Sequence, residues 1–237
     1  MHSISPKGGD GTVSVNNLLS PDGILGFLKR IIGTNFVPYP LKLREYIKPG
    51  SLILNVGSGM ISDNHSTVNL DYFLFPSVDI VADAHNIPFE DGSFDVIQTE
   101  FMIEHVKDPF QVASEVSRVL KPGGILYISY PFIHPYHSFP DDYFRFTNNG
   151  IRSMFPDMDI IVEGPLTGPA CRWVGATADL ISFFMPGQKL RLAARGITLA
   201  LLCPVKLFDM IFNKMAESKN HAVTLFSLLC KRKQGAV

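Results

Sequence analysis

The sequence predicts an α/β fold: a mostly parallel sheet of seven strands, with a helical insertion ahead of the last one. Three observations carry this. Short runs rich in β-branched residues recur along the chain. Several are apolar throughout rather than alternating, as strands covered on both faces require. A segment with helical periodicity separates the fourth run from the fifth, the crossover that parallel pairing needs. At 237 residues the chain is long enough for one such domain with an elaboration.

The elements follow in order. Residues 1–16, rich in Gly, Ser and Asn, read as a loose end. The α/β domain is assigned to 17–164 and 220–237, and the insertion to 165–219. VPYPLKLREYI (37–47) reads as a short helix stopped by Pro49 and Gly50, and SLILNV (51–56) as the first buried strand, running into a glycine turn. TVNLD (67–71), VDIVAD (78–83), FDVIQT (94–99) and GILYISY (124–130) are the next four strands. Only 11 residues lie between Asn55 and Thr67 and 6 between Asp71 and Val78, too few for crossover helices, so one flank of the sheet should be thinly covered. The crossover helix is PFQVASEVSRVLKPGG (109–124), with Phe110, Ala113, Val116 and Leu120 at helical spacing, Pro at its start and Pro-Gly-Gly at its end. Thr147 opens a further helix, DIIVEG (159–164) is the sixth strand, 173–219 holds two or three apolar helices, and VTLFSLLCKRK (223–233) is the last strand.

With 46% apolar and 18% charged residues, the composition excludes intrinsic disorder. The net charge of −1 conceals an asymmetry: residues 1–186 carry 12 basic and 20 acidic side chains, whereas 187–237 carry 9 and 2. That cationic end suits an anionic membrane surface or a phosphate-bearing partner, and equally a solvated helix face. No nucleic-acid partner is expected. Cys171, Cys203 and Cys230 share no metal-like spacing, and their odd number argues against a disulfide framework. The opening residues lack a signal-peptide h-region, so the expected location is cytoplasmic, with membrane association open. The stretch Ile197–Phe212 is interrupted by Pro204, Lys206 and Asp209 and can lie on a bilayer but not cross it.

The chemistry-bearing residues sit at strand ends. NVGSG (55–59) ends the first strand, where glycines let the backbone turn tightly and approach a ligand. Asp71, twelve residues after Gly59, ends the second strand, where a carboxylate can accept both hydroxyls of a ribose. Asp83 ends the third strand a further twelve residues on, where it and the Ala84 amide can meet an adenine edge. Singly each has a bland reading as a loop residue; together they form a constellation.

NVGSG, NLD, VADAHNIPFEDGSFDVIQTEFMIEHV and EVSRVLKPGGILYISYPF resemble the class I S-adenosylmethionine-dependent methyltransferases, in the subgroup of small methyltransferase domains. The resemblance covers about residues 50–132. It implies a Rossmann-like sheet with an antiparallel last strand and S-adenosylmethionine as cofactor. Asn55, Gly57 and Gly59 would lie near its methionine moiety, Asp71 at ribose, Asp83 and Ala84 at adenine, and Thr99 and Glu100 along the methionine side. Two positions depart from the family pattern: Asn55 stands where an acidic residue is usual, and Ile61 where a third glycine is usual. His105, in EHV, either faces substrate or is a structural histidine.

PFIHPYHSFPDDYFRFTNNGI (131–151) follows the fifth strand and overhangs the same edge. His137, or His134, can take a proton from a hydroxyl, with Asp141 or Asp142 assisting. Asp141, Asp142, Tyr143 and Arg145 are candidate acceptor contacts, suited to a polyhydroxylated or phosphorylated group. Tyr136, Phe139, Tyr143 and Phe144 offer stacking faces. The other reading is a rigid lid with internal Asp–Arg pairing. A metal on His134, His137 and Asp141 is not expected, because those ligands mix preferences and no further Cys or Glu joins them. The string resembles a branch of the family with a Pro-Phe-x-x-Pro-x-His…Asp-Tyr-x-Arg-x-Thr loop, often found in surface-glycan pathways. That resemblance implies O-methylation of a sugar or lipid-linked glycan. The alternatives are a small lipid-soluble ring as acceptor, or a non-catalytic module of the same fold at a membrane surface. Asn55 and Ile61 favour the non-catalytic module; Asp71 and Asp83 oppose it.

Overall fold

A computed structural model describes residues 43–60, 67–137, 140–209 and 225–234. The expectations for 1–16, for Ile61 and Phe139, and for the start of the 37–47 helix and the end of the insertion fall outside those residues. Two compact units result, one built on residues 43–163 and 227–234 and the other on 164–209 and 225–226.

The sheet, which belongs to the first unit except for the end of β6 and the start of β7, comprises β1 (Ile53–Val56), β2 (Thr67–Asp71), β3 (Ile80–Val81), β4 (Phe94–Glu100), β5 (Leu120–Pro131), β6 (Met158–Pro165) and β7 (Leu225–Arg232). Their spatial order is β3-β2-β1-β4-β5-β7-β6. β1 to β5 pair in parallel, and β7 is antiparallel to the rest, giving a Rossmann-like mixed sheet. The central strand β1 is buried throughout, as its unbroken apolar run requires. The chain reverses direction in the sheet order after β1, between β1 and β4, the place where open α/β sheets hold ligands beyond the strand ends.

Helix α1 (Pro109–Val119) is begun by Asp108, whose carboxylate accepts the Gln111 amide at 3.0 Å, with Pro109 at its first turn. Its inward face is Val112, Ala113, Val116 and Val119, and each buried valine contributes roughly 1.5–3 kcal/mol. Phe110, expected on that face, is instead 60% exposed. The apolar stripe is shifted around the helix because Val112 and Val119, not Phe110, share the side of Ala113 and Val116. The helix is also shorter than 109–124, since the chain is already extended at Leu120 and the Pro-Gly-Gly segment belongs to β5.

The expected 37–47 helix is a single 3₁₀ turn, Leu43–Tyr46, in its described part, and Leu43 packs with Ile53, Val96, Tyr127 and Leu229. Between β1 and β4 the described residues form no α-helix, and Tyr72, Leu74 and Val81 are exposed along that flank. β3 shrinks to two residues. Helix α2 (Asn148–Met154) starts at Thr147, whose hydroxyl accepts the Gly150 amide.

The second unit contains α3 (Pro169–Phe183), α4 (Gln188–Leu202) and a 3₁₀ turn, Cys203–Leu207. Val174, Ala178 and Leu199 form its core. The buried Asp209 carboxylate accepts the Ala170 and Cys171 amides at 2.8 and 2.7 Å, closing the first turn of α3. Phe183 and Phe184, at the turn between the helices, are 71% and 70% exposed, with Leu190, Leu192, Lys189 and Arg191 beside them in sequence. Among the described residues no helix is long and apolar enough to cross a membrane.

Candidate functional site

The carboxyl ends of β1, β2 and β4 gather the residues of the glycine turn and the first acidic position. Leaving β1, the Gly57 and Ser58 amides donate to the Leu70 carbonyl at 2.8 and 3.2 Å, tying the turn to β2. Gly57 has φ +74°, and a Cβ there would fall 2.3 Å from Met102 Cγ, so both backbone shape and space demand glycine. A Cβ at Gly59 would meet nothing within 4 Å among the described residues. Asp71, ending β2, is buried; its carboxylate accepts the Gly59 amide at 2.8 Å and the Phe73 amide at 2.9 Å. Asn55 points into a buried amide ladder, donating to Asn69 Oδ1 at 3.1 Å, while the Asn69 backbone amide donates to Asp79 at 2.9 Å.

Asp83 lies two residues past β3. His85 Nδ1 donates to its carboxylate at 2.6 Å and His85 N at 2.9 Å, and these bonds hold its pKa below the ordinary value against a modest burial cost. The same ring accepts the Asp108 amide on Nε2, and Gln111 donates to the His85 carbonyl, so α1 fixes the Asp83 loop. Ala84 is half-buried beside it. Thr99 and Glu100 end β4. The hydroxyls of Thr99 and Ser58 are buried and make no hydrogen bond among the described residues. Space at Gly59 clear of the described residues, acceptor oxygens on Asp71 and Asp83 and two orphaned hydroxyls together fit a ligand with hydroxyls and a polar ring edge, which S-adenosylmethionine has.

After β4 the chain makes a strained turn: Phe101 has φ +51°, unusual for a bulky side chain and worth about 1–3 kcal/mol. This turn places the 3₁₀ segment Ile103–His105 under the 131–146 loop. The Tyr143 and Phe144 amides donate to the Glu104 carbonyl, and the His105 ring donates from Nδ1 to the Asp141 carbonyl. The Glu104 side chain has no exposed surface, and neither carboxylate oxygen accepts a hydrogen bond among the described residues. Burial, chiefly, pushes its pKa up to about 7; its own backbone amide and the Arg145 charge oppose this, and the Asp142 charge adds to it. His137 Nε2 lies 3.7 Å and His105 Nε2 3.8 Å from its Oε1.

The loop's own charges are spent inside it. Arg145 donates to the His134, Pro135 and Phe144 carbonyls and, through both terminal nitrogens, to Asp142. Asp142 also accepts the His137 amide at 2.8 Å, and Arg145 above all holds its carboxyl far below the usual range. His137 faces Asp142 through Nδ1 at 3.4 Å. Tyr143 donates its hydroxyl to Asp141 at 3.0 Å. The structure thus brings His137 to Glu104 and His105, and turns Arg145 and Asp142 toward one another rather than outward. Sequence reasoning missed Glu104. Its one visible signal is an ionisable residue in the otherwise apolar FMI-E-HV turn. Glu104, His105 and His137 are also the group of three metal-ligating side chains found among the described residues, their ligand atoms all within 4.8 Å of one another.

A protein-family model described as "Methyltransferase domain" matches residues 54–128, about a third of the chain. A demethylmenaquinone methyltransferase of Renibacterium salmoninarum is 33% identical over 104 residues, covering 37% of this chain and 44% of that protein. The ubiquinone/menaquinone biosynthesis C-methyltransferase UbiE of Vibrio parahaemolyticus is 35% identical over 94 residues, 38% of this chain and 34% of that protein. The chain therefore spans less than half the length of these curated relatives. A proposed sarcosine dimethylglycine methyltransferase of Galdieria sulphuraria, in its crystal structure, matches with TM-score 0.50 at 15% identity, covering 81% of this chain and 82% of that one, a likeness of fold.

Proposed function

We propose that the chain is an S-adenosylmethionine-dependent methyltransferase that O-methylates a sugar or lipid-linked glycan brought to it at a membrane surface. The observation that carries the methyl-transfer reading is the set of strand ends: a glycine turn clear of the described residues at Gly59, Asp71 bound to that turn, and Asp83 two residues past β3. The match of residues 54–128 to a methyltransferase-domain model supports the same reading. When bound, the cofactor would supply a sulfonium-linked methyl group, open to in-line attack on its carbon by an acceptor oxygen, with the thioether sulfur of S-adenosylhomocysteine as the leaving group.

The chain's own residues bind, orient and dry the site. Asp71 would accept the ribose hydroxyls in place of one or both of its backbone amides. Asp83 and the Ala84 amide would meet the adenine edge, and Asn55, Gly57, Gly59, Thr99 and Glu100 would line the methionine end. Holding two reactants in register accounts for much of such catalysis, and the braced 131–146 loop supplies a water-excluding wall. His137 is the candidate base: its Nδ1–H points to the Pro135 carbonyl at 3.2 Å, leaving the Nε2 lone pair to take the acceptor's proton. Asp142 and Arg145 hold the ring's loop in place, and Asp141 and Tyr143, more exposed, are the acceptor contacts.

A second acceptor class has its own support. Two of the relatives are named for quinone biosynthesis, which favours a small lipid-soluble ring methylated at carbon. A lipid-linked glycan and a lipid-soluble ring both reside in or on lipid, and the exposed Phe183, Phe184, Leu190 and Leu192 with Lys189 and Arg191 suit an anionic membrane surface. Calorimetric titration with S-adenosylmethionine and S-adenosylhomocysteine, with NAD as control, tests the donor. Saturable binding of the first two, lost in Asp71→Ala, is expected; absence of binding would leave the non-catalytic module. Radiolabel transfer into glycan versus quinone fractions separates the acceptors, and flotation with anionic vesicles tests the membrane contact.

A further inference from the structure

We propose that Glu104, His105 and His137 form a binding site for one divalent transition-metal ion of the zinc class. The inference goes beyond the methyl-transfer reading and does not depend on it. Its warrant is a count of protons. The His105 Nδ1 contact is the Asp141 carbonyl, which can only accept, so the neutral ring carries its proton on Nδ1 and a lone pair on Nε2. The same holds for His137, whose Nδ1 faces the Pro135 carbonyl at 3.2 Å and the Asp142 carboxylate at 3.4 Å. Both Nε2 atoms lie near Glu104 Oε1, at 3.8 and 3.7 Å, and that fully buried carboxylate accepts no hydrogen bond from another of the described residues.

Three acceptors thus converge with no donor from another described residue between them, an arrangement that repels itself unless a proton or a positive ion sits among them, and an ion is held by all three at once. Metal-bound histidines characteristically donate their other ring nitrogen to a carbonyl or carboxylate, which fixes the tautomer. Both rings here are held in that way. Ligand distances of about 2.0–2.1 Å to a zinc-class ion put neighbouring ligand atoms roughly 3–3.4 Å apart. The observed separations, 3.7 and 3.8 Å from the carboxylate and none above 4.8 Å, would have to contract toward that range as the rings turn onto the ion. Two imidazoles and one carboxylate are a donor set suited to zinc, iron or cobalt rather than to magnesium or calcium. Arg145, the nearby cation, is already neutralised by Asp142 and turned onto carbonyls. Three protein ligands leave a position open for an acceptor oxygen, and an ion there would acidify a bound hydroxyl in place of His137.

The test uses the full chain, freed of metal with a chelator, titrated with Co²⁺ and followed by visible d–d absorption. One equivalent should bind with bands of a four- or five-coordinate ion that Zn²⁺ bleaches. Glu104→Gln and His137→Asn should each weaken binding by at least ten-fold, whereas His134→Asn should leave it intact. S-adenosylhomocysteine titration and circular dichroism on the same samples report whether each variant is folded; His137, being partly exposed, provides the variant least able to disturb the fold. Absence of saturable bands in the wild type overturns the site. So do bands that survive in both folded variants, or that vanish with His134→Asn instead.

Discussion

Asp71 and Glu104 are both buried carboxylates beside the same sheet edge, one ending β2 and the other just past β4, yet their surroundings are opposite. Asp71 is met by two backbone amides supplied from within fifteen residues of sequence. Glu104 is enclosed by a loop that returns from about forty residues downstream; the loop brings it the His137 ring, the neighbouring His105 supplies a second, and no other described residue donates to its carboxylate. The donor side is therefore built to hold negative charge before any ligand arrives. The other side is left short of positive charge. Buried acceptors are ordinarily matched by donors, so an unmatched one marks a place where something else is expected to bind or a proton to reside.

The largest effect expected from disturbing this contrast lies in the brace behind His137. Asp142 has a side chain only 1% exposed, and its charge is tolerated because Arg145 meets it with both terminal nitrogens. Arg145→Ala removes that partner and leaves a buried charge uncompensated, a change worth about 3–5 kcal/mol. Urea denaturation of the variant should show a loss of that order, partly restored by adding Asp142→Asn. A loss under about 1 kcal/mol would mean that the loop relaxes freely and that the acceptor side is not rigid at all.

Next is Glu104 itself. A carboxyl raised from 4.5 to about 7 in the folded protein binds its proton more tightly folded than unfolded. Its contribution is fully present below about pH 4.5 and is lost as the pH rises to about 7, to the extent of about 3 kcal/mol. Glu104→Gln carries no such penalty. In the presence of chelator, the variant should gain on the wild type by about 2 kcal/mol between about pH 5 and pH 8. Parallel pH profiles for the two proteins would show that Glu104 is solvated or paired, and the contrast with Asp71 would disappear.

How much of this was legible in the sequence follows the same division. β1, β2 and β4, the glycine turn and Asp71 depend on neighbours within a few residues, and local pattern finds them. Phe110 was assigned to the inner face of α1 because it has the right spacing from Ala113. Val112 and Val119 satisfy the same period, and only packing decides between the two faces. For Arg145 and Asp142 the sequence offers two readings, acceptor contacts or an internal pair in a rigid lid; the pair forms, and nothing local announces that the carbonyls of His134 and Pro135 claim the remaining guanidinium donors. Glu104 was passed over altogether. Its burial depends on Tyr143 and Phe144 donating to its carbonyl, a contact that no local pattern announces.

The smallest effect provides the sharpest comparison, because the same chemical change should act with opposite sign at the two sites. Asp71→Asn keeps the shape of the side chain but replaces one acceptor oxygen with an NH₂ group. One of the Gly59 and Phe73 amides keeps its bond, and the other faces a donor. A part-buried amide left unmatched costs about 1–2 kcal/mol, so the variant should be less stable than wild type at neutral pH, where Glu104→Gln is more stable. Ligand affinity should report the same geometry, since the remaining oxygen can accept one ribose hydroxyl but not two. If Asp71→Asn proves as stable as wild type while Glu104→Gln is destabilised, the assignments are exchanged: Glu104 would be the carboxylate with matched donors, and the negative charge that the fold was built to hold would lie past β4 rather than at the glycine turn.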